Sequence, residues 1–127
     1  MQSRFAAALR RSSGSPVRVI AECKRTSPSS GRMREDYDPE AIANEYRALG
    51  AAALSVLTDR EFFEGQDEHL ALARKSGLPA LRKDFVIDDR QIHHTAELAA
   101  DAVLLLVRIM DKHQLTDYLH LAEALGL

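Results

Sequence analysis

Residues 17–24 read VRVIAECK, and this stretch decides how the rest of the chain is interpreted. It begins as an apolar run rich in β-branched residues, which is typical of a buried strand. It ends on Glu22 and Lys24, which share one face of a strand because side chains two residues apart point the same way. A polar loop, residues 25–31, follows. Stability alone would not place two charges at the end of a core strand, so the stretch predicts a strand with functional residues at its carboxyl end.

The composition narrows the class of protein. The chain has 127 residues, of which 46% are hydrophobic, enough for one domain with a real core. A net charge of −2 argues against a nucleic-acid partner, which needs a concentrated basic face. The single cysteine, Cys23, fits a reducing compartment. No apolar stretch reaches the roughly 20 residues of a membrane span, and no secretory signal is visible, so we expect a cytoplasmic protein without a membrane partner.

Signals for strands and helices alternate along the chain. Asp38, Asp88 and Asp111 each supply a helix N-cap, and Pro39 suits the first turn of the helix after Asp38. The predicted strands cover residues 17–24, 53–58, 79–84 and 102–107, and the predicted helices cover residues 4–11, 38–50, 66–75, 88–98 and 111–125. We therefore expect one domain, in which residues 1–16 form a short N-terminal helix and linker and residues 17–127 form four βα units.

Alternating strands and helices imply a parallel sheet with right-handed crossovers. Two architectures fit this order, an open doubly wound sheet and a segment of a (β/α)₈ TIM barrel. Functional residues of such barrels lie at the carboxyl ends of the strands, and alternate strands contribute to shared interior layers. Glu22 and Lys24 on the first strand and Lys83 on the third fit that rule. No glycine-rich G-x-G-x-x-G turn follows any strand, so the barrel segment is favoured over a dinucleotide-binding fold.

Four motifs then occur in the order and spacing of a known enzyme family. They are residues 20–29 (IAECKRTSPS), residues 36–39 (DYDP), residues 54–59 with 62–65 (LSVLTD and FFEG), and residues 81–87 (LRKDFVI). The first resembles the IAE-x-K-x-x-SPS signature of indole-3-glycerol-phosphate synthase, and the resemblance extends over nearly the whole chain from residue 17. It implies a TIM-barrel lyase of tryptophan biosynthesis. That family closes the indole ring of 1-(2-carboxyphenylamino)-1-deoxyribulose 5-phosphate with loss of CO₂ and water.

The resemblance also implies roles for individual residues. Lys83 is expected to be the general acid that protonates the substrate ketone. Lys24 is expected to contact the substrate carboxylate or phosphate, and Glu22 to orient both lysines and take part in acid–base chemistry. These roles are physically coherent, because an anionic phosphosugar–anthranilate substrate needs a cationic mouth and a carboxylate between two ammonium groups limits their repulsion.

Three further residues are expected to bind the substrate, and no cofactor or metal is expected. Ser27 would bind at the mouth of the first strand, and Phe63 and Phe85 would line an aromatic pocket. Without the resemblance, Ser27 could equally belong to a turn, and Phe63 could belong to the core. Cys23 should face the helices as a core residue. The adjacent His93 and His94 would point about 100° apart on a helix, which suits one metal ion poorly.

The family's strands five to eight, with a second catalytic glutamate and most of the phosphate site, have no counterpart in these 127 residues. We therefore expect a half-barrel with two open sheet edges, prone to self-association or to pairing with a complementary half. The alternative to a truncated synthase is a catalytically silent half-barrel that serves as an assembly or anion-binding module. Another phosphosugar enzyme on the same fold, such as an isomerase, is a weaker third possibility.

Two local departures from the family pattern stand out. Gln66 replaces the serine that usually follows Phe-x-Gly, which bears on the contacts of that loop. Ala99 replaces the glycine that usually ends the helix before the fourth strand. If residue 99 has a positive φ, alanine costs on the order of 1 kcal/mol there.

Overall fold

A computed structural model describes residues 3–127, so residues 1 and 2 of the predicted N-terminal segment lie outside the described residues. The described chain forms six strands: β1 (Ile20–Cys23), β2 (Thr26–Ser27), β3 (Gly31–Arg32), β4 (Ala53–Leu57), β5 (Ala80–Lys83) and β6 (Ala102–Val103). It also forms five α helices: α1 (Arg4–Leu9), α2 (Pro39–Ala48), α3 (Asp67–Arg74), α4 (Asp89–Glu97) and α5 (Lys112–Ala124). A 3₁₀ helix spans Val107–Ile109.

Strands β1, β4, β5 and β6 form one parallel sheet in that order. Helices α2, α3 and α4 connect consecutive strands of the sheet, and α5 follows β6. Each new strand is therefore added beside its predecessor, as in a TIM barrel, whereas a doubly wound sheet reverses its strand order. The predicted α/β fold with four parallel βα units is confirmed.

Two predicted strands are shorter than expected. The strand predicted over residues 17–24 spans only Ile20–Cys23, and that predicted over residues 102–107 spans only Ala102–Val103. Both lie at edges of the sheet and pair on one side only. The neighbouring strand β5 ends at Lys83, so the residues after Val103 have little left to pair with. The prediction that residues 102–107 are covered on both faces is wrong, because they are half-buried or exposed.

The loop after β1 contains a small antiparallel hairpin that the sequence reasoning missed. Strand β2 pairs with β3, with Thr26 beside Arg32 and Ser27 beside Gly31. The backbone of Gly31 has a φ of +68°, which a glycine adopts without a Cβ penalty. The hairpin gives this loop a fixed shape next to the carboxyl end of β1.

The helix starts follow from local hydrogen bonding. The side chains of Asp38, Asp88 and Asp111 accept hydrogen bonds from backbone N–H groups of α2, α4 and α5, respectively. Asp88 forms a full capping box with Gln91, whose side chain reaches back to the N-cap backbone. All three predicted caps are confirmed. At the other end of α4, Ala99 has a φ of +57°, so the strained conformation considered for this residue is present.

Most of the core lies between the outer face of the sheet and helices α2 and α3. Its buried members are Cys23, Ile42, Ala43, Leu54, Val56, Leu70, Ala73, Ala80 and Ala100. Burial is the main reason that the pKa of the Cys23 thiol is raised to about 12, with the Glu22 charge adding to the effect. The prediction that Cys23 is a core residue facing the helices is confirmed.

The opposite, inner face of the sheet carries the side chains that would point into a barrel. Both edges of the sheet expose apolar residues: Val17 is 73% exposed beside β1, and Val107 is 68% exposed beyond β6. A groove of about 500 Å³ lies between β6 and α5, and a second of about 200 Å³ lies between the β1 edge and the end of α2. Within residues 3–127, no helix has the length and apolar character needed to cross a membrane.

Candidate active site

The carboxyl ends of β1 and β5 bring the three predicted catalytic side chains together. Lys83 Nζ donates a hydrogen bond to Glu22 Oε2 at 2.7 Å. Lys24 Nζ lies 3.4 Å from the other carboxylate oxygen, Glu22 Oε1. The three side chains are 29–36% exposed, so the cluster is partly shielded but open to a ligand. Each oxygen of one carboxylate therefore faces one ammonium group.

The strand register explains why residues 61 positions apart meet. Strand β4 lies between β1 and β5, with Ser55 beside Glu22 and Leu57 beside Lys83. Since β1 and β5 are alternate strands of the sheet, their inward side chains share one interior layer. The hydroxyl of Tyr46 on α2 donates to the backbone oxygen of Glu22 at 2.9 Å, which fixes β1 from its outer side.

The electrostatics of the cluster favour an ionised carboxylate. Partial burial is the largest single influence and pushes the pKa of Glu22 upward, but the hydrogen bond and charge of Lys83, followed by those of Lys24, outweigh it. The net result is a pKa of Glu22 below its ordinary value. At neutral pH the Glu22 carboxylate is therefore an anion between two ammonium groups.

An apolar cavity of about 180 Å³ lies directly beside Lys83. Its lining includes Phe63, Phe85, Leu57, Leu104 and Leu106. The rings of Phe63 and Phe85 lie 6.3 Å apart, and Phe62 meets Phe85 edge to face at 5.9 Å. The two aromatic residues predicted to line a pocket thus lie together at a cavity that also contains the lysine.

The loop after β4 holds Phe63 in place through two close contacts. The carboxylate of Asp59 accepts hydrogen bonds from the backbone N–H groups of Phe62 and Phe63. A Cβ at Gly65 would lie 2.5 Å from the backbone oxygen of Leu57, too close for any other residue without a backbone shift. The glycine of the Phe-x-Gly motif is therefore required by the approach of this loop to the end of β4.

Ser27 is buried within the hairpin loop, and its hydroxyl serves the turn. Its Oγ accepts a hydrogen bond from the backbone N–H of Ser30 at 3.1 Å and lies 3.4 Å from Ser29 Oγ. This supports the turn role that was considered as an alternative. A substrate-binding role of Ser27 stays a prediction.

The sequence reasoning missed a second cluster, formed by the loops after β1 and β4. The carboxylate of Glu64 pairs with Arg32 at 2.9 Å and with Arg25 at 3.6 Å. Glu64 has a φ of +49°, an uncommon conformation for a residue other than glycine. The sequence signal for Glu64 was its position within the FFEG motif. A side chain between two motif residues of a loop is well placed to contact the neighbouring loop.

The second missed residue is Arg82, to which the sequence reasoning gave no role beyond its place in the LRKDFVI motif. It is buried behind the sheet, where it contacts Asp67 and Asp84. The signal was its position between Leu81 and Lys83: strand alternation turns it away from the site and toward the helices.

The histidines make no metal site in the described structure. His94 Nε2 lies 2.9 Å from Asp67 Oδ2, and this hydrogen bond raises the pKa of His94. Across residues 3–127, no group of three or more His, Cys, Asp or Glu side chains is arranged to hold a metal ion.

Parallel βα units, with charged groups gathered at the carboxyl ends of alternate strands, define a protein of the TIM-barrel class. Comparison with known families gives a more specific result. The model of the family described as indole-3-glycerol phosphate synthase matches residues 1–127. The chain belongs to the indole-3-glycerol phosphate synthase family, which confirms the resemblance seen in the motifs.

Individual relatives agree with the family assignment. The chain is 52% identical over 124 residues to the indole-3-glycerol phosphate synthase of Pelodictyon phaeoclathratiforme and 51% identical over 125 residues to that of Chloroherpeton thalassium. The synthase of Chlorobium chlorochromatii is 48% identical over 124 residues. Each alignment covers 97% of this chain and 48% of the relative. The chain therefore spans about half the length of the curated relatives it matches.

Proposed function

We propose that this chain carries the acid–base half of an indole-3-glycerol-phosphate synthase active site. In this proposal the protein is a carbon–carbon lyase of tryptophan biosynthesis. It closes the indole ring of 1-(2-carboxyphenylamino)-1-deoxyribulose 5-phosphate and releases CO₂ and water. The observation that supports it best is the 2.7 Å hydrogen bond from Lys83 to Glu22 beside an apolar, aromatic-lined cavity.

Lys83 is the general acid in this scheme. It donates a proton to the ketone oxygen of the substrate while a carbon of the aromatic ring bonds to the ketone carbon. Glu22 holds the ammonium of Lys83 in place and is the nearest base for its proton. Lys24, on the other carboxylate oxygen of Glu22, attracts the carboxylate or phosphate of the substrate.

Three more side chains bind the substrate in the proposal. Phe63 and Phe85, in the walls of the apolar cavity, contact the aromatic ring of the substrate, since aromatic side chains favour ring–ring contacts. Ser27, in the hairpin three residues after Lys24, binds the substrate at the mouth of β1. No cofactor or metal takes part in the scheme.

The function is tested by measuring indole-3-glycerol phosphate formation by the wild-type chain and by Lys83→Ala. Removing a general acid lowers the rate by roughly 10²–10⁴-fold. Lys75→Ala is a matched control, because this lysine pairs with Glu40 on the helical surface, away from the cluster. Equal rates for wild type and Lys83→Ala would remove Lys83 from its proposed role.

A silent anion-binding half-barrel is the second candidate, and the two cations at Glu22 favour it over an inert scaffold. In that case the wild-type chain binds a phosphorylated anthranilate analogue without turning over the substrate. Isothermal titration calorimetry separates the two functions. Loss of binding in Lys24→Ala, with no turnover in the wild type, would establish the silent module.

We further propose that the two open sheet edges are covered in the working protein by additional parallel βα units of the same fold, in this polypeptide or in another copy. Apolar grooves beside β1 and beyond β6, together with relatives of about twice the length, support this. Residues 17–127 then act as four βα units, preceded by a short helix and linker at residues 1–16.

We place the protein in the cytoplasm, where a tryptophan-biosynthetic lyase finds its anionic phosphosugar–anthranilate substrate. The buried, unpaired Cys23 is in keeping with a reducing compartment. Interspersed acidic and basic residues with a net charge of −2 give no basis for a nucleic-acid partner.

A further inference from the structure

A buried arginine lies directly behind the proposed general acid. Arg82 precedes Lys83 on β5 and is only 6% exposed, on the side of the sheet that packs against the helices. The core on that side is mostly apolar, and Thr58 and Thr95 are buried polar residues beside the arginine. Removing a guanidinium from water is costly, and even with all its donors satisfied it often stabilises a core no better than an apolar residue. Stability alone therefore does not explain a cation at this position.

All the donor capacity of the Arg82 side chain is used. Its Nε donates to Thr58 Oγ1 at 3.1 Å. One terminal nitrogen donates to Thr95 Oγ1 and to the backbone oxygen of Gln91, at 3.1 and 3.2 Å. The other donates to Asp67 and Asp84, at 3.1 and 3.4 Å. These five hydrogen bonds match the five N–H groups of a guanidinium and tie together the end of β4, the end of β5, the start of α3 and two turns of α4.

The same network fixes the backbone on both sides of Lys83. The Thr58 hydroxyl, which accepts from Arg82, donates to Asp84 Oδ2 at 2.7 Å. The backbone N–H of Thr58 donates to the backbone oxygen of Lys83 at 3.2 Å. Asp84 Oδ1 accepts from the backbone N–H of Phe85 at 2.8 Å. Residues 82–85, which include the acid and one wall of the cavity, are therefore anchored from behind.

We propose that Arg82 is a positioning residue that sets the carboxyl end of β5, so that Lys83 Nζ lies on Glu22 and the Phe85 ring closes the cavity. The catalytic meaning of this geometry rests on the proposed function. Lys83 has a long flexible side chain whose tip is held by Glu22, so the position of its ammonium group depends on how firmly the backbone of Lys83 is held. That backbone is held through Asp84 and Thr58, both partners of Arg82.

The position of Lys83 can be read without turnover, by following the Glu22 carboxyl carbon by NMR as the pH is lowered. In the wild type the Lys83 contact holds the titration midpoint of Glu22 below its ordinary value of 4.5. We expect the midpoint to move toward 4.5 in Thr58→Val, which removes the hydroxyl shared by Arg82 and Asp84, and in Arg82→Lys, which keeps the charge but loses the fork. Thr58→Ser keeps the hydroxyl and should restore the wild-type midpoint.

Ile42→Val is the control for general destabilisation, because Ile42 is a core residue on α2 away from the network. Its midpoint should stay at the wild-type value. If Arg82→Lys does not fold, Thr58→Val and Thr58→Ser decide the question. A wild-type midpoint in folded Thr58→Val, or an equal shift in Ile42→Val, overturns the proposal.

Steady-state kinetics distinguish a failure of this inference from a failure of the proposed function. For Thr58→Val we expect kcat to fall about 10- to 100-fold with KM nearly unchanged, because the acid is misplaced while the binding groups remain. A wild-type chain without turnover would count against the proposed function alone, since the NMR midpoints still decide whether the network positions Lys83.

Discussion

Glu22 is held between two ammonium groups, and folding therefore favours its ionised form. The folded-state pKa of Glu22 is lowered, so its contribution to stability is present above about pH 4.5 and is lost as the pH falls through the lower folded value. We expect Glu22→Gln to be less stable than the wild type at neutral pH by on the order of 1 kcal/mol, because solvent screens a one-third exposed pair.

Urea unfolding across a series of pH values measures this effect. The stability difference between wild type and Glu22→Gln should shrink as the solution becomes more acidic, because protonated glutamate resembles glutamine. A difference that stays constant across the acidic range would contradict the ion pairing of Glu22 with the two lysines.

His94 shows the opposite pH dependence. Its hydrogen bond to Asp67 raises its folded-state pKa above 6.5, so the stabilisation is complete below about pH 6.5 and is lost as the pH rises through the folded value. We expect His94→Gln to lower the unfolding midpoint at about pH 5.5 and to have little effect at about pH 8.5.

The neighbouring His93→Gln is the matched control, since His93 is exposed on the same helix. Thermal unfolding at the two pH values compares the variants directly. An equal effect of His94→Gln at both would mean that the Asp67 contact does not depend on the charge of the imidazole.

At the scale of the element, the end of α4 carries a conformational cost. Ala99 adopts a φ of +57°, which glycine accepts without a Cβ penalty. We expect Ala99→Gly to raise the free energy of unfolding by about 0.5–1 kcal/mol, because relief of the strain exceeds the added entropy of the unfolded chain.

Ala96→Gly is the control for that experiment, because residue 96 lies within α4, where glycine costs about 0.5–1 kcal/mol. Urea denaturation should therefore give changes of opposite sign at positions three residues apart. A loss of stability in both variants would show that the positive φ of Ala99 is not strained.

The helices were more predictable from sequence than the edge strands, for a physical reason. An N-cap such as Asp88 needs only the N–H groups of the next turn, so a short segment contains the whole interaction. The length of β6 instead depends on where β5 ends, which is a property of another segment. The apolar character of residues 102–107 therefore indicated a strand but could not set its extent.

The same contrast between local and long-range interactions applies to the candidate active site. Glu22, Lys24 and Lys83 could be predicted to converge because alternation and strand order place them on one layer. Arg82 and Glu64 could not, because their roles depend on partners from several elements that meet only in three dimensions. The face on which a strand side chain lies can be predicted from the sequence, whereas the partners of a side chain in a hydrogen-bond network between distant segments cannot.

At the scale of the whole molecule, the open edges should make the isolated chain associate. Exposed Val107 and Leu119 border the groove between β6 and α5, and an exposed apolar groove of this kind is typical of an interaction surface. We expect sedimentation velocity at micromolar concentration to show dimers or larger species, and Val107→Lys to shift the chain toward monomer.

Ile92→Ala tests whether association merely follows loss of stability, because Ile92 is fully buried in the core beneath α5 and does not line the groove. It should destabilise the chain without dispersing the assembly. A well-folded wild-type monomer would contradict the expected association through these edges.

The place of β4 between β1 and β5 also has a consequence for how the chain folds. Glu22 and Lys83 belong to strands that touch β4 but not each other. Their hydrogen bond therefore requires two successive non-local pairings, each of which must overcome loop-closure entropy first. In a φ-value experiment, this pair should be unformed in the transition state even where β4 is already structured. The candidate site would then assemble only after the rate-limiting step of folding.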